Sequence, residues 1–297
     1  MKYPINYTFL FLLSISFFTG CSQDNSSEKV EKPIIEVPKT AAEKIASATW
    51  VTKEPANGIK WKYLHFDDLF SSRQSVTVIE ISGVMDNVKV AVPYVESGFL
   101  KTSDAGINTR AIAAVNGSYF DTSNGGSTTF LKENGSIVNH TRPGFDWYRE
   151  NAGFAINASG GVSIIQKPAS GWASVDDSTL MVSGPLLLMD GEALNQSKNA
   201  FNDNRHPRTA VGITKEGNLI NVVVDGRASE AHGVSIEELT ILMKALGCVN
   251  AMNLDGGGSS TAWVKNYGVV SYPSDNKKFD HEGERGVATV ITYSSSL

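Results

Sequence analysis

Most of the chain reads as short β-like runs of apolar residues punctuated by turn signals. Residues 76–82 (VTVIEIS) and 88–95 (VKVAVPYV) are rich in β-branched side chains and are split by Asp86-Asn87. Residues 111–115 form a brief apolar run ending in Asn116-Gly117. Residues 153–158 and 161–165 flank Ser159-Gly160, and residues 209–214 and 219–224 flank a turn at 215–218. A last strand is predicted at 286–293.

One segment carries a helical period instead. Ser235 and Glu238 form a capping box, Ile236, Leu239, Leu242, Met243 and Leu246 recur at helical spacing, and Gly247 supplies the stop. With the apolar runs at 219–224 and 249–254 on either side, this is a βαβ-like unit whose strand direction the sequence leaves open. The other segments lean towards hairpins. The predicted fold class is α+β: a mixed β-sheet with flanking helices, in one large domain.

The N-terminal pattern differs from the rest. Lys2 precedes a nearly all-apolar run at 8–18, too short for a membrane span and suited to the core of a signal peptide. Thr19-Gly20-Cys21 then resembles a lipoprotein cleavage site, which makes Cys21 the expected lipidated residue. The next stretch, SQDNSSEKVEKPIIEVPKT, is too polar to bury much surface. The predicted organisation is a signal peptide at 1–20, a tether at 21–45 and a domain at 46–297. A lipid anchor implies the cell envelope, outside the cytoplasm, with the membrane as a partner.

Hydrophobic residues make up 41% of the chain, enough for a substantial core. Without residues 1–20 the chain holds 25 basic and 31 acidic residues, and this acidic balance argues against nucleic acid as a partner. The second cysteine, Cys248, lies in an apolar context and reads as a buried small residue.

Four polar, glycine-containing segments interrupt the apolar runs: NGSYFD (116–121), RHPRTAVG (205–212), DGR (225–227) after a VVV run, and NLDGGGSS (253–260). In the last, Asp255 stands at a strand end, a rigid place for a catalytic carboxylate. Gly256, Gly257 and Gly258 permit close backbone approach, and with Ser259 and Ser260 are expected to form an anion-holding nest. No lysine follows them, so this is not a nucleotide-binding phosphate loop. Asp225 and Arg227 face one side if the chain stays extended. Arg205 and Arg208 repel each other unless an anion or acids neutralise them. His206 is an acid–base or a structural residue, and Tyr119-Phe120 is either core or a face for a sugar ring.

The four segments, in this order, resemble the phosphodiester glycosidase family, with the clearest likeness from 205 to 261. The resemblance implies a hydrolase that cleaves the glycosidic bond of a sugar 1-phosphodiester, N-acetylglucosamine-1-phosphodiester-like, or a phosphorylated glycan, with no required cofactor. It implies Asp255 and then Asp225 as catalytic carboxylates, and a substrate pocket of Asn116, Arg205, Arg208, Thr209, Arg227 and residues 256–260. Two other readings stay open. Asp121, Asp225 and Asp255 offer oxygen ligands to a divalent cation in a metal-assisted phosphodiesterase. The same donors also suit a surface lipoprotein that binds a phosphoglycan without cutting it.

Overall fold

The computed structural model describes residues 39–296. The expected signal peptide, the lipidation residue Cys21 and the tether up to residue 38 lie outside the described residues. Within them, no helix is long and apolar enough to cross a membrane.

Four α-helices are present among the described residues: α1 (Ala41–Ala46), α2 (Thr102–Asn108), α3 (Ala200–Asp203) and α4 (Ile236–Ala245). The strands of the N-terminal half are β1 (Val51–Ala56), β2 (Ile59–Leu69), β3 (Ser72–Ile81), β4 (Val88–Ala91), β5 (Ala113–Asn116), β6 (Leu131–Glu133) and β7 (Ser136–Asn139). They are followed by β8 (Ala152–Ile156), β9 (Val162–Gln166), β10 (Thr179–Ser183), β11 (Leu186–Met189) and β12 (Glu192–Ala193). The C-terminal part adds β13 (Arg208–Thr214), β14 (Leu219–Val224), β15 (Cys248–Asn253), β16 (Ala262–Val264), β17 (Gly268–Val269) and β18 (Val290–Ser295).

These strands form an eight-stranded sheet in the order β1-β2-β3-β14-β13-β15-β11-β12 and two five-stranded sheets, β7-β6-β10-β8-β9 and β17-β16-β5-β18-β4. The fold is broadly α+β, as expected, but neighbouring strands in all three sheets pair antiparallel. The unit β14–α4–β15 closes its crossover around β13. Both outer strands run antiparallel to β13, so β14 and β15 are parallel to each other.

Alternation along the strands builds two layers of core. Ile79, Ile81, Val211, Val223 and Met252 pack on one face of the large sheet with Val115, Phe154, Met181 and Ile291 of the smaller sheets. Val78, Ile220, Val222 and Ala251 pack on the other face against Ile236, Leu239, Leu242 and Met243 of α4. The capping box at Ser235 and Glu238 is present, and Gly247 follows the helix at φ +89°.

Two sequence expectations change. Residues 41–45 belong to a helix and not to the tether: Thr40 and Glu43 make a second capping box, and Ile45 is buried. The runs at 76–82 and 88–95 do not pair with each other, because β3 lies in the large sheet and β4 in a small one.

Candidate active site

The parallel pair β14 and β15 ends at the same edge of the large sheet at which β13 begins. In register, Arg208 opposes Val224 and Ala210 opposes Asn253. Three of the four polar segments therefore meet there. The glycines make the meeting possible. A Cβ on Gly256 would stand 2.7 Å from the Pro207 carbonyl oxygen, and one on Gly226 would stand 2.9 Å from Gly233 Cα. Gly257 has φ +65°, and its amide donates to the Pro207 oxygen at 2.8 Å. The Gly256 amide donates to Asp255 Oδ1 at 2.9 Å, and the amides of Ser259 and Ser260 donate to Gly256 and Gly257. Four amides of the run, those of Gly256, Gly257, Ser259 and Ser260, are thus bonded within the protein. Ser259 and Ser260 are buried.

Asp255 is the partly exposed acid of this edge. Its amide donates to Gly117 O at 2.9 Å, and its carbonyl accepts from Asn116 Nδ2 at 2.8 Å. Asn116 Oδ1 in turn accepts from Thr209 Oγ1 at 2.7 Å and from the Thr261 amide at 3.0 Å. Asn116 and Thr209 are both 0% exposed; Asn116 holds the backbone of Asp255, and Thr209 holds Asn116. Burial pushes the Asp255 carboxyl up to about 6. The Ser259 hydroxyl, the Gly256 amide and the charges of Arg149 and Arg285 oppose that shift.

Asp225 is placed differently. It is 1% exposed, Ser75 Oγ donates to its Oδ2, and the Tyr272 amide donates to its Oδ1 at 2.8 Å. Burial pushes its carboxyl up to about 7 against these two hydrogen bonds. The chain does not stay extended after it. Arg227 has φ +64° and turns out to the exposed side, where its guanidinium lies about 3.0 Å from the place a Gly257 Cβ would take.

The arginines divide. Arg205 leaves the site: its Nε contacts Glu238 Oε1 and Oε2 at 3.1 and 3.0 Å, and its Nη2 reaches the Phe70 carbonyl. The acid that caps α4 neutralises it. Arg208 is 1% exposed and donates to the carbonyls of Val234, Phe201 and Asn204, with Cζ 4.6 Å from the Phe201 ring centroid. Burial, helped by the charges of Arg149 and Arg227, lowers its pKa to about 10. Burial likewise lowers that of His206, with help from Arg208 and Arg227.

Arg149 and Arg285 were not among the sequence candidates. Arg149 Cζ sits 4.3 Å from the Tyr119 ring centroid, 4.8 Å from Phe201 and 5.1 Å from Phe145. Its charge acts on Asp255. The only hint in the sequence is the aromatic cluster Phe145, Trp147 and Tyr148 before it. Tyr119 is core and not a sugar face: its hydroxyl donates to Gly184 O at 2.6 Å and accepts from Asn253 Nδ2 at 3.0 Å, while Arg149 covers its ring.

The three aspartates weighed as cation ligands do not gather. Asp121 pairs with Arg142 at 2.7 Å and accepts from the Ser123 amide at 2.9 Å. Among the described residues, no group of three His, Cys, Asp or Glu side chains is placed to hold a metal ion. Cys248 is buried, and burial pushes its thiol up to about 12, which leaves it inert.

Comparison with known proteins bears on this geometry. A family model described as phosphodiester glycosidase matches residues 109–293. The SPbeta prophage-derived uncharacterized protein YomE of Bacillus subtilis (strain 168) is 33% identical over 106 residues, 29% of this chain and 16% of that protein. The mouse and human N-acetylglucosamine-1-phosphodiester alpha-N-acetylglucosaminidases are 46% and 42% identical over 69 residues, 23% of this chain and 13% of each. The likeness thus spans less than a fifth of the length of these relatives, at 13–16%. The solved catalytic domain of the zebrafish enzyme of the same name, auto-inhibited by its pro-peptide, superposes with a TM-score of 0.63 at 23% identity, covering 83% of this chain and 88% of that one. A hypothetical protein from Synechocystis superposes at 0.64 with 15% identity, covering 83% of this chain and 64% of that one. At these identities the two structures establish the fold.

Proposed function

The chain belongs to the phosphodiester glycosidase family, and from that premise we propose that it hydrolyses the glycosidic bond of a sugar 1-phosphodiester, releasing the sugar and a phosphomonoester. The observation that carries this reading is Asp255. It is a half-buried acid on a strand-end loop, its backbone is fixed by Asn116 and Gly117, and it lies within the field of Arg149 and Arg285.

In this reaction the bond from the anomeric carbon to the phosphate oxygen breaks, and water oxygen ends on the sugar. The phosphate leaves with its bonding electrons as an anion, so it needs less proton donation than a sugar alkoxide. Its charge needs cations, which Arg227 and Arg149 supply at the site edge. Arg208, buried and bonded to three carbonyls, adds positive potential from behind. Asp255 as carboxylate stabilises the oxocarbenium-like centre and either attacks it or takes the proton of the water. Asp225 is a positioning residue, since both its oxygens hold protein groups. N-acetylglucosamine is the sugar we favour, on the relatives' activity alone. We place the enzyme at the cell envelope, anchored through Cys21, on the N-terminal sequence pattern.

Hydrolysis of a sugar 1-phosphodiester in heavy-oxygen water tests the reading. The label is expected in the released sugar. Label in the phosphate means attack at phosphorus, and binding without products means a binding protein; either result removes the glycosidase assignment.

A further inference from the structure

A cavity of ≈ 710 Å³ lies between α4 and the loop that follows β12. A smaller one of ≈ 150 Å³ opens beside Trp147 and Tyr148. Leu194, Asn195 and Gln196 line both, so the two form one furrow. We propose that this furrow is a second binding site, which takes a neutral glycan chain. Its occupancy needs no phosphodiester, so the inference stands apart from the glycosidase reading.

The walls are held in place by the protein itself. The Leu194 amide donates to Leu187 O at 3.0 Å, and Gln196 Nε2 donates to the carbonyls of Leu186 and Leu194 at 2.8 and 3.2 Å. Asn202 Nδ2 donates to Ser197 O at 2.7 Å, which ties α3 to the same loop. The opposite wall is the capped start of α4, with Ile236, Thr240 and Ile241. A furrow fixed in this way spares a ligand the cost of ordering its site.

One buried group in the furrow lacks a partner. Asn202 is 3% exposed and lines the larger cavity, and its Oδ1 accepts no hydrogen bond within the protein. An unmet buried acceptor is costly, and a donor brought by a ligand removes that cost. A sugar hydroxyl or an acetamido N–H is such a donor. The other end of the furrow offers a ring. Trp147 is 66% exposed, yet its backbone belongs to a short 3-10 turn, Trp147–Arg149, closed by the Arg149 amide on Asp146 O at 2.9 Å. Its ring meets Tyr148 edge-on with centroids 6.0 Å apart, and Tyr148 leans on Phe201 at 6.1 Å. An exposed indole on a fixed turn suits the apolar face of a pyranose.

Charge then chooses among glycans. Among the described residues that line the furrow, the one cation, Lys198, is matched by Asp203 at 3.6 Å, and Glu237 adds a further acid. This balance repels a phosphorylated chain and accepts an uncharged one. Trp147 is two residues from Arg149, whose charge acts on Asp255. A chain held in the furrow therefore keeps the enzyme on a polymer and raises the local concentration of any diester that the polymer carries.

The test measures, by calorimetry, the binding of two uncharged oligosaccharides, chitotetraose and maltotetraose, to the full chain. Wild type is expected to bind chitotetraose alone if Asn202 takes an acetamido N–H, and both if a hydroxyl suffices. Trp147→Ala is expected to weaken that binding about tenfold, the loss of one ring contact, and Trp147→Phe to restore most of it. Ile241→Trp, which fills the larger cavity, is expected to weaken it as well. Binding of neither oligosaccharide by wild type, or unchanged binding in either Trp147→Ala or Ile241→Trp, overturns the furrow as one site. Hydrolysis of the methyl diester of a sugar 1-phosphate is expected to be the same in wild type and Trp147→Ala. A fall there puts Trp147 at the hydrolytic edge and overturns a separate site. If wild type does not hydrolyse the diester, the glycosidase reading fails, and the calorimetry alone decides the furrow.

Discussion

Asp225→Asn separates a positioning role from a catalytic one. The substitution keeps the shape and the acceptor facing the Tyr272 amide, and the Ser75 hydroxyl turns from donor to acceptor. What it removes is a charge in a site 1% exposed. Burial lifts the carboxyl from its ordinary 3.8 to about 7. Below about pH 4 it is neutral folded or unfolded and contributes nothing. Between 3.8 and about 7 the unfolded chain gives up the proton while the folded chain keeps it, so stability falls as pH rises. Above about 7 the loss is complete. At about 1.4 kcal/mol for each pH unit, it is on the order of 4 kcal/mol. Asp225→Asn is therefore expected to match wild type in denaturant unfolding at pH 4 and to exceed it at pH 8 by up to that amount. It is also expected to keep its turnover at pH 7 within about threefold of wild type, a change of under 1 kcal/mol in the barrier. A stability difference that does not vary with pH refutes the reasoning about burial. Loss of nearly all turnover in a folded Asp225→Asn refutes the positioning role.

Asp255→Asn is expected to fold and to lose turnover by about 10³-fold or more, measured as sugar release; wild-type rates remove it from the mechanism. In wild type, kcat is expected to rise with pH through about 6 as Asp255 ionises, and a flat profile across that range contradicts its action as a carboxylate. Arg227→Lys keeps the charge and loses the planar fork, so kcat/KM for the diester is expected to fall about tenfold; equal values refute a phosphate contact there. Arg149→Met is expected to raise the Asp255 pKa and so move the pH–rate midpoint upward, because one cation that favours the carboxylate is gone. An unmoved midpoint shows that Arg149 acts only by packing.

The place of the candidate site is more legible in the sequence than the contacts of individual residues. Asp255 reads directly, as an acid at the end of an apolar run before three glycines. The hairpins β8–β9 and β13–β14 and the capped helix α4 also follow from local pattern, because turn residues and caps act within a few positions. The duties of the arginines do not. Arg205 and Arg208 are three residues apart, yet one is taken by Glu238 of α4 and the other by carbonyls of the α3 region, partners that only the tertiary fold brings near. Arg149 comes from a segment without any glycine motif. The extended reading of Asp225 and Arg227 fails at one left-handed residue. The small helix α1 carries its own local signal, the capping box of Thr40 and Glu43, inside a stretch whose polar composition reads as a tether.

The strand β18 has a consequence for how the protein is made. It lies between β5 and β4, and in register its Val290 sits beside Asn116, the residue that holds the backbone of Asp255. A chain growing from its N-terminus has β4 and β5 early, but their shared neighbour arrives only when residues 290–295 have been synthesised. Until then two strands expose unsatisfied edges, and Asn116 lacks one side of its support. The candidate site is therefore assembled only after residues 290–295 have emerged, by pairing between residues far apart in sequence, a slow kind of contact to form. Nascent chains stalled before residue 290 are expected to be inactive and prone to edge-to-edge association.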